Sequence, residues 1–550
     1  MIRFILVLGC AVAMAQDAVR IRVDAGAPGP PFRHSWAFFG YDEPNYTYTK
    51  NGQKLLRELS TLSPVPVFIR AHNLLTTGDG THALKWGSTN AYTEDASGNP
   101  VYDWKILDQI FDTFRDTGVK PLVEIGFMPK ALSTKPEPYQ HQFPKTPIQA
   151  GWAYPPKDYK KWADLVHAWV RHCVERYGQQ TVEGWYWEVW NEPDIMYWQS
   201  TREEYEKLYD YASDALKRAL PTARIGGPHT TGPVGDKAAA FLREFLEHCA
   251  RGTNHATGKK GSPIDYIAFH PKGQPQVVEG HVRMGIARQL KSIDRGFEIV
   301  ASFPEFKSTP IILGESDPEG CAACGVRTHP QNGYRNGPLY GVYSAVSTDR
   351  TMELARKHGV NLEGMVTWAF LFEDQPYFDG FRTLASNGVD KPVLNVFRML
   401  GQMGGSHVAV ESSGRIPVSA ILESGVREKP EISALATRDG NTVSVLVWNY
   451  HDDDLPAEAS PVSLAVESLP MRGRVRVEHF RMDGQHSNAY RVWKEMGSPQ
   501  SPTAEQYKKL EESGRLEMLD SPAWKTTDGG VAKLDFSLPR QGVSLVRLSW

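Results

Sequence analysis

Between residues 36 and 403 the hydrophobic pattern switches repeatedly between two periods. Short, nearly continuous apolar runs read as buried parallel strands at 36–40, 65–71, 120–127, 184–190, 223–228, 264–270, 310–314 and 364–370. Amphipathic stretches separate them. The clearest spans 157–177, where Tyr159, Trp162, Leu165, Val166, Trp169, Val170, Cys173 and Val174 recur every three or four residues. Pro155 and Pro156 precede this stretch and Gly178 follows it, which are helix start and stop signals. Eight such alternations predict an α/β fold, a (β/α)8 TIM barrel with enlarged loops, over 36–403. The segment 129–155, rich in Pro, Gln and Lys, has no period and is expected as a loop over the barrel mouth.

Beyond residue 404 the period becomes two. The run from Ile432 to Asn449 is two alternating segments about Asp439-Gly440, a hairpin signal, and 474–480 and 531–550 alternate as well. An accessory β-sandwich over 404–550 is expected, interrupted by a charged, helical insertion at 500–517. Residues 18–24 alternate too, so the segment 16–35 is expected to join the sandwich before the barrel begins.

A chain of 550 residues is too long for one compact core, in keeping with two domains. With 61 basic and 64 acidic residues the net charge is −3, so no nucleic-acid or membrane partner is indicated. Residues 1–15 combine Arg3, an apolar run and Ala13-Met-Ala15, the pattern of a signal peptide cleaved before Gln16. No later run is long enough to span a bilayer, and an exported protein, periplasmic or secreted, is expected. Four cysteines would remain: Cys173, Cys249, Cys321 and Cys324. Cys173 lies on a helix's apolar stripe. Cys321-Ala-Ala-Cys324 is open to three readings: a loop-stapling disulfide, a redox pair, or half a zinc site without a second half.

The chemistry is carried by two acidic side chains. Trp185-Tyr-Trp-Glu-Val-Trp-Asn-Glu-Pro-Asp194 places Glu192 at the end of the fourth strand, and Thr309-Pro-Ile-Ile-Leu-Gly-Glu-Ser316 places Glu315 at the end of the seventh. Catalytic groups of such barrels sit at the carboxyl ends of the strands. Glycoside hydrolysis needs such a pair, an acid for the leaving oxygen and a carboxylate at the sugar carbon, with no metal or organic cofactor. Aromatic residues make up 11% of the chain, which suits the apolar faces of sugar rings, although most of them serve a core. Taken singly, each glutamate also fits a buried ion pair or a helix cap. A carbohydrate-binding protein without activity and an endo-acting hydrolase are the competing functions. The expected partner is a small-molecule or oligosaccharide substrate; homo-oligomerisation stays open.

Several motifs in order resemble glycoside hydrolase family 39 of clan A, the group of β-xylosidases and α-L-iduronidases. They are Phe68-Ile-Arg-Ala-His72, Asn191-Glu192-Pro193, Asp265-Tyr-Ile-Ala-Phe-His270-Pro-Lys-Gly273, Gly314-Glu-Ser-Asp-Pro318 and, in the sandwich, Asp483-Gly-Gln-His-Ser-Asn-Ala-Tyr490 followed by Trp493 and Met496-Gly-Ser-Pro499. The resemblance covers nearly the whole mature chain. It implies a retaining, exo-acting hydrolase, a β-xylosidase first, with Glu192 as acid/base and Glu315 as nucleophile. It further implies that Asn191, His72 and His270 bind hydroxyls, that Trp368 supplies a platform, and that Glu373 and Asp374 hold the far hydroxyls. Lys272 departs from the xylosidase pattern, which has Tyr there, and resembles the iduronidases, whose lysine meets a uronate. Arg382 would add a second cation, and an ion pair of Lys272 with Asp317 or Glu373 is the alternative to substrate recognition.

Overall fold

The computed structural model describes residues 17–84, 87–142, 147–149, 151–321, 323–369, 373–470 and 473–550. The expected signal peptide and the last residue of the expected eighth strand, Phe370, lie outside the described residues. Eight parallel strands, β1 (Phe38–Tyr41), β2 (Phe68–Ala71), β3 (Lys120–Ile125), β4 (Tyr186–Val189), β5 (Arg224–Thr231), β6 (Tyr266–His270), β7 (Pro310–Leu313) and β8 (Asn361–Trp368), pair in chain order into a closed barrel. All eight expected strands are present, with their ends displaced by a few residues. The second starts later than its apolar run because Pro66 has no N–H for a ladder. Helices form the outer ring; the most regular, Tyr159–Tyr177, is capped by the Asp158 side chain and buries Trp162, Leu165, Trp169 and Cys173. The segment 129–155 is not all loop: Gln140–Gln142 and Pro147–Gln149 pair as a small hairpin, with strands too short to show a period.

Because alternate strand residues face the barrel interior, its contents form layers. Phe38, Phe68, Leu122, Tyr186, Ala268, Ile312 and Val366 make an apolar plug. Two residues further along the same strands come Gly40, Arg70, Glu124, Glu188, His270, Gly314 and Trp368. The same alternation that builds the core therefore delivers a layer of charge directly above it. Gly40 is needed because a Cβ there would overlap the Trp368 ring.

The remaining strands form two stacked sheets. Val19–Asp24 lies between Ala409–Ser412 and Ser460–Glu467, beside which runs Ala532–Leu538. A six-stranded sheet faces it, with Glu431–Asp439 and Thr442–Tyr450 as the expected hairpin. Ile21, Val23, Val462 and Leu464 meet Val443, Val445, Val477 and Leu548 between the sheets. The expected insertion at 500–517 contains the helix Ala504–Ser513 but yields at Glu517 to a strand, Glu517–Thr526, whose mostly exposed residues give no apolar signal. Among the described residues no helix is long and apolar enough to cross a membrane.

The outer face of the six-stranded sheet is buried as well. Leu446, Trp448, Met482 and Leu545 belong to the same continuous core as the barrel helices. Leu446→Ala should therefore cost about 2–5 kcal/mol. Barrel and sandwich should still unfold in one step, with tryptophan fluorescence and far-UV circular dichroism giving coincident denaturant transitions.

Candidate active site

Glu192 and Glu315 meet at the carboxyl end of the barrel. Each offers an oxygen within 4.8 Å of the other's and of a His270 ring nitrogen. Both line a cavity of about 290 Å³, together with Asp42, Asn191, Tyr197, Lys272 and Trp368. Glu192 follows β4 in a strained turn: Trp190 and Glu192 have φ of 72° and 43°, in the left-handed region that non-glycine residues avoid. Three hydrogen bonds hold the turn. The Glu192 N–H donates to the His229 carbonyl at 2.9 Å, the Trp190 N–H to Ile125 at 3.3 Å, and the Trp190 indole to Tyr197 at 2.7 Å.

Arg70, from the middle of β2, organises the floor. Its Nε donates to both oxygens of Glu188 at 2.9 and 3.1 Å, and its other nitrogens donate to Glu315 Oε1 and Asn191 Oδ1, each at 3.1 Å. The guanidinium lies 4.8 Å from the centre of the Trp368 ring. With its carbonyl oxygen held by Arg70, Asn191 offers its NH2 group to the cavity. Trp368, expected as a platform, belongs to the barrel core and also lines the cavity.

The two glutamates are biased in opposite directions. Burial and the charge of Glu315 push Glu192 up to about 7. Burial would raise Glu315 too, but Lys272, the His270 ring, Arg70 and His72 outweigh it and hold that carboxyl well below the usual range. Lys272 makes a short ion pair with Glu315 and lies 3.2 Å from Asp317. One carboxyl is thus kept as an acid and the other as an anion on the same cavity wall.

Five residues expected at the substrate make other contacts. His72 has both ring nitrogens engaged, Nδ1 at 2.9 Å from Asp42 and Nε2 at 2.9 Å from Glu124. Burial alone would lower its pKa; the two carboxylates instead push it up to about 9, so it contributes positive charge and not a hydroxyl contact. His270 is fully buried between Glu192 and His229 and holds the acid instead of the sugar. Glu373 accepts from the Asn51 N–H at the start of the helix Lys50–Leu62, where the helix dipole favours an anion. Asp374 is 87% exposed and lies 3.8 Å from His82, so neither acid reaches the cavity. Arg382 is not a free cation: it is buried against Asp317, Glu319 and the Trp368 carbonyl.

Cys321 and Cys324 form a disulfide, which both the loop-stapling and the redox-pair readings require. Their carbonyls accept from Arg335, itself paired with Glu319, so the bridge shapes the loop after Glu315. Among the described residues, His72–Glu124–Glu188 and Glu192–His270–Glu315 have the spacing of metal donors. Both sets are already tied to Arg70 or Lys272. Asp317, an expected alternative partner of Lys272, does pair with it. Sequence reasoning passed over Arg70, Glu124, Glu188 and His229. The signal for the first three was a charged residue in the middle of an otherwise apolar strand run. His229 gave none, because its ring is aimed by a bulge.

A (β/α)8 barrel that sets a protonated carboxyl against an ionised one on a sugar-sized cavity has the architecture of a glycoside hydrolase. The chain belongs to glycosyl hydrolases family 39, whose model matches residues 19–527. A β-xylosidase of Caldicellulosiruptor saccharolyticus is 25% identical over 458 residues, 80% of this chain and 82% of that protein. An α-L-iduronidase of Mus musculus is 25% identical over 564 residues, 94% and 78% of the two chains. A monomeric β-xylosidase from Caulobacter crescentus CB15 shares the fold, with a TM-score of 0.75 at 22% identity over 97% of this chain and 99% of that one. The bacterial orthologue of human α-L-iduronidase shares it likewise, with a TM-score of 0.77 at 21% identity over 98% and 84%.

Glu315 must be ionised to act as a nucleophile, and that form is lost as pH falls through its pKa. Removing the Lys272 ammonium raises that pKa. Lys272→Met should therefore move the acidic limb of the kcat/KM profile to higher pH, measured on an aryl glycoside across pH 3–8.

Proposed function

We propose that the protein is a retaining, exo-acting β-xylosidase that releases xylosyl residues from oligosaccharides. The observation that carries this reading is the close approach of two oppositely biased carboxyls on one small cavity. Retaining enzymes keep the two carboxyl groups about 5–5.5 Å apart, whereas inverting ones leave room for a water at about 6.5–9.5 Å; the approach within 4.8 Å supports the first. A volume of about 290 Å³ suits a single terminal sugar ring, which supports exo action.

In this reading Glu315 attacks the anomeric carbon while Glu192 protonates the departing oxygen, leaving a glycosyl-enzyme. Glu192, now ionised, takes a proton from water as that water displaces Glu315, and the free sugar leaves with its configuration retained. The Asn191 NH2 group donates to the 2-hydroxyl, a contact that strengthens in the transition state. The commitment of Lys272 to Glu315 and Asp317, and of Arg382 to Asp317 and Glu319, supports a neutral sugar. Export is part of the proposal, supported by the signal-like residues 1–15 and by a disulfide of the kind oxidising compartments preserve.

A second reading, a glycosidase for uronic-acid-bearing glycans, is favoured by one observation. Arg288 lines both the catalytic cavity and an adjoining groove of about 530 Å³ that also carries Lys291 and Arg427. Turnover of aryl β-xyloside, α-L-arabinoside, β-glucoside, β-glucuronide and α-L-iduronide separates the two readings: preference for the xyloside is expected, and preference for a uronide would replace the first reading by the second. Under the first, Lys272→Tyr spares xyloside selectivity; under the second it abolishes uronide turnover.

The acid form of Glu192 is present below about pH 7 and lost above it, so kcat/KM should fall on the alkaline side through about 7. Glu192→Gln should remove that limb. It should also lower turnover of substrates with poor leaving groups by about 10²–10⁴, while sparing glycosylation by dinitrophenyl glycosides. Wild-type rates for Glu192→Gln and Glu315→Gln together would defeat the enzymatic reading.

A further inference from the structure

Behind Glu192 runs a buried string of four titratable groups. Glu192 Oε1 lies 3.0 Å from His270 Nδ1, His270 Nε2 lies 3.1 Å from His229 Nδ1, and His229 Nε2 lies 2.6 Å from Glu188 Oε2. At the last contact the oxygen approaches off the ring axis, yet at 2.6 Å two lone pairs would repel, so a proton lies between them. The string has three such gaps, but two neutral imidazoles bring only two protons. The third can come only from a carboxyl. Arg70 forks onto Glu188 and keeps that end ionised, which leaves Glu192 as the source. The polarity of every link follows. His229 donates from Nε2 to Glu188, His270 donates from Nε2 to His229, and Glu192 donates its acid proton to His270 Nδ1.

The backbone is built around this arrangement. His229 sits at φ 53° in a bulge where the pairing of β5 with β6 shifts register between Pro228 and Thr230. A bulge re-aims a side chain, and a non-glycine residue with positive φ costs about 1–3 kcal/mol unless its surroundings hold it there. The His229 carbonyl also accepts the Glu192 N–H, so one residue grips the acid at its main chain and, through His270, at its carboxyl. Gly314, immediately before Glu315, leaves the room: a Cβ there would fall against His229 Nδ1 and 2.7 Å from His270 Nε2.

We propose that His229 is a positioning residue for the acid proton: by fixing His270 as the Nε2–H tautomer it makes the Glu192 proton the third proton of the string. The inference rests on the reading of Glu192 as the acid. In glycosylation that proton passes to the leaving oxygen as the C–O bond breaks and the bond to Glu315 forms. The string then holds two protons across three gaps, with the Glu192 carboxylate against the His270 lone pair. That repulsion favours recapture of a proton from the incoming water as its oxygen bonds to the anomeric carbon and the bond to Glu315 breaks. The other groups facing Glu192 are Glu315, Lys272, Arg70, His72 and Asp194, with Tyr197 beside them; His270 is faced also by Glu315, whose Oε1 lies 3.5 Å from Nδ1, and by Arg70, Lys272 and Glu188; His229 is faced by Glu188, Arg70, His270 and the Tyr266 ring. Burial holds both string histidines below the ordinary imidazole range, His229 at about 3, in keeping with neutral rings.

Removing His229 frees His270 to turn its N–H toward Glu192, which stabilises the carboxylate. His229→Ala should move the alkaline limb of kcat/KM down by about one pH unit, a tenfold loss at pH 8, and keep the rate on the acidic plateau. A purely structural defect would instead lower the whole profile. His229→Asn, whose amide oxygen can replace Nδ1 as the acceptor and whose backbone tolerates positive φ, should restore the wild-type limb. Gly314→Ala, which wedges a methyl between the rings, should reproduce the shift if His229→Ala does not fold. Nitrogen-15 spectra of the imidazoles in the wild-type protein should show both string histidines as Nε2–H tautomers. An unmoved limb in a folded His229→Ala protein, or an Nδ1–H tautomer at His270, overturns the proposal. A Glu192→Gln protein with the wild-type pH profile would instead defeat the assignment of the acid and leave the tautomer result standing.

Discussion

The site depends on the burial of one guanidinium. Arg70 stands fully enclosed in the barrel, and its planar fork reaches Glu188, Glu315 and Asn191 while its face lies against Trp368. An unpaired charge at that depth would be prohibitive, and removing one partner of such a pair typically costs about 3–5 kcal/mol. The carboxylates are therefore as necessary to Arg70 as Arg70 is to them. The same group that makes the charged layer tolerable sets the position of Glu315, the orientation of the Asn191 amide and the ionised state of Glu188. A lysine would supply the charge without the planar fork that spans Glu188, Glu315 and Asn191 at once.

From that centre the two carboxyls acquire their difference. Glu315 bonds directly to Arg70 and Lys272 and stays ionised; Glu192 feels the same cations only from further off, faces the negative Glu315 and keeps its proton. Both are buried, so burial cannot be what separates them. What separates them is which neighbours each strand end brings. The proposed retaining reaction asks one residue to act first as acid and then as base, and the histidine string proposed behind Glu192 suits a group whose proton must leave and return within each turnover.

Family members named β-xylosidase and α-L-iduronidase are both 25% identical to this chain. The cations nearest the nucleophile are engaged by Asp317 and Glu319. Those further out, Arg288, Lys291 and Arg427, line the adjoining groove. Charge near the reacting carbon thus serves the chemistry, and charge further away is open to substrate recognition. Fold alone decides neither.

Much of this was legible in the chain. Short continuous apolar runs marked the eight barrel strands, period 3.6 the clearest helix and period two the hairpin of the sandwich. The position of Glu192 and Glu315 after apolar runs placed both at the same end of the barrel, since strand direction is common to all eight. That logic is local: burial along a strand leaves its mark every second residue, and a carboxylate just past the run must emerge at its end. The roles of His72, His270, Glu373 and Arg382 were not legible, because each depends on which partner, often more than forty residues away in the chain, fills its hydrogen-bonding capacity. A histidine at a strand end can hold a sugar or a carboxyl; Asp42 and Glu124 decide for one, and Glu192 and His229 for the other. The sequence by itself determined the elements and the chemical types at their ends. Only the closed barrel, by bringing Arg70, Glu188 and His229 within bonding distance, decided which of those groups are charged, which are neutral, and which remain free to meet a substrate.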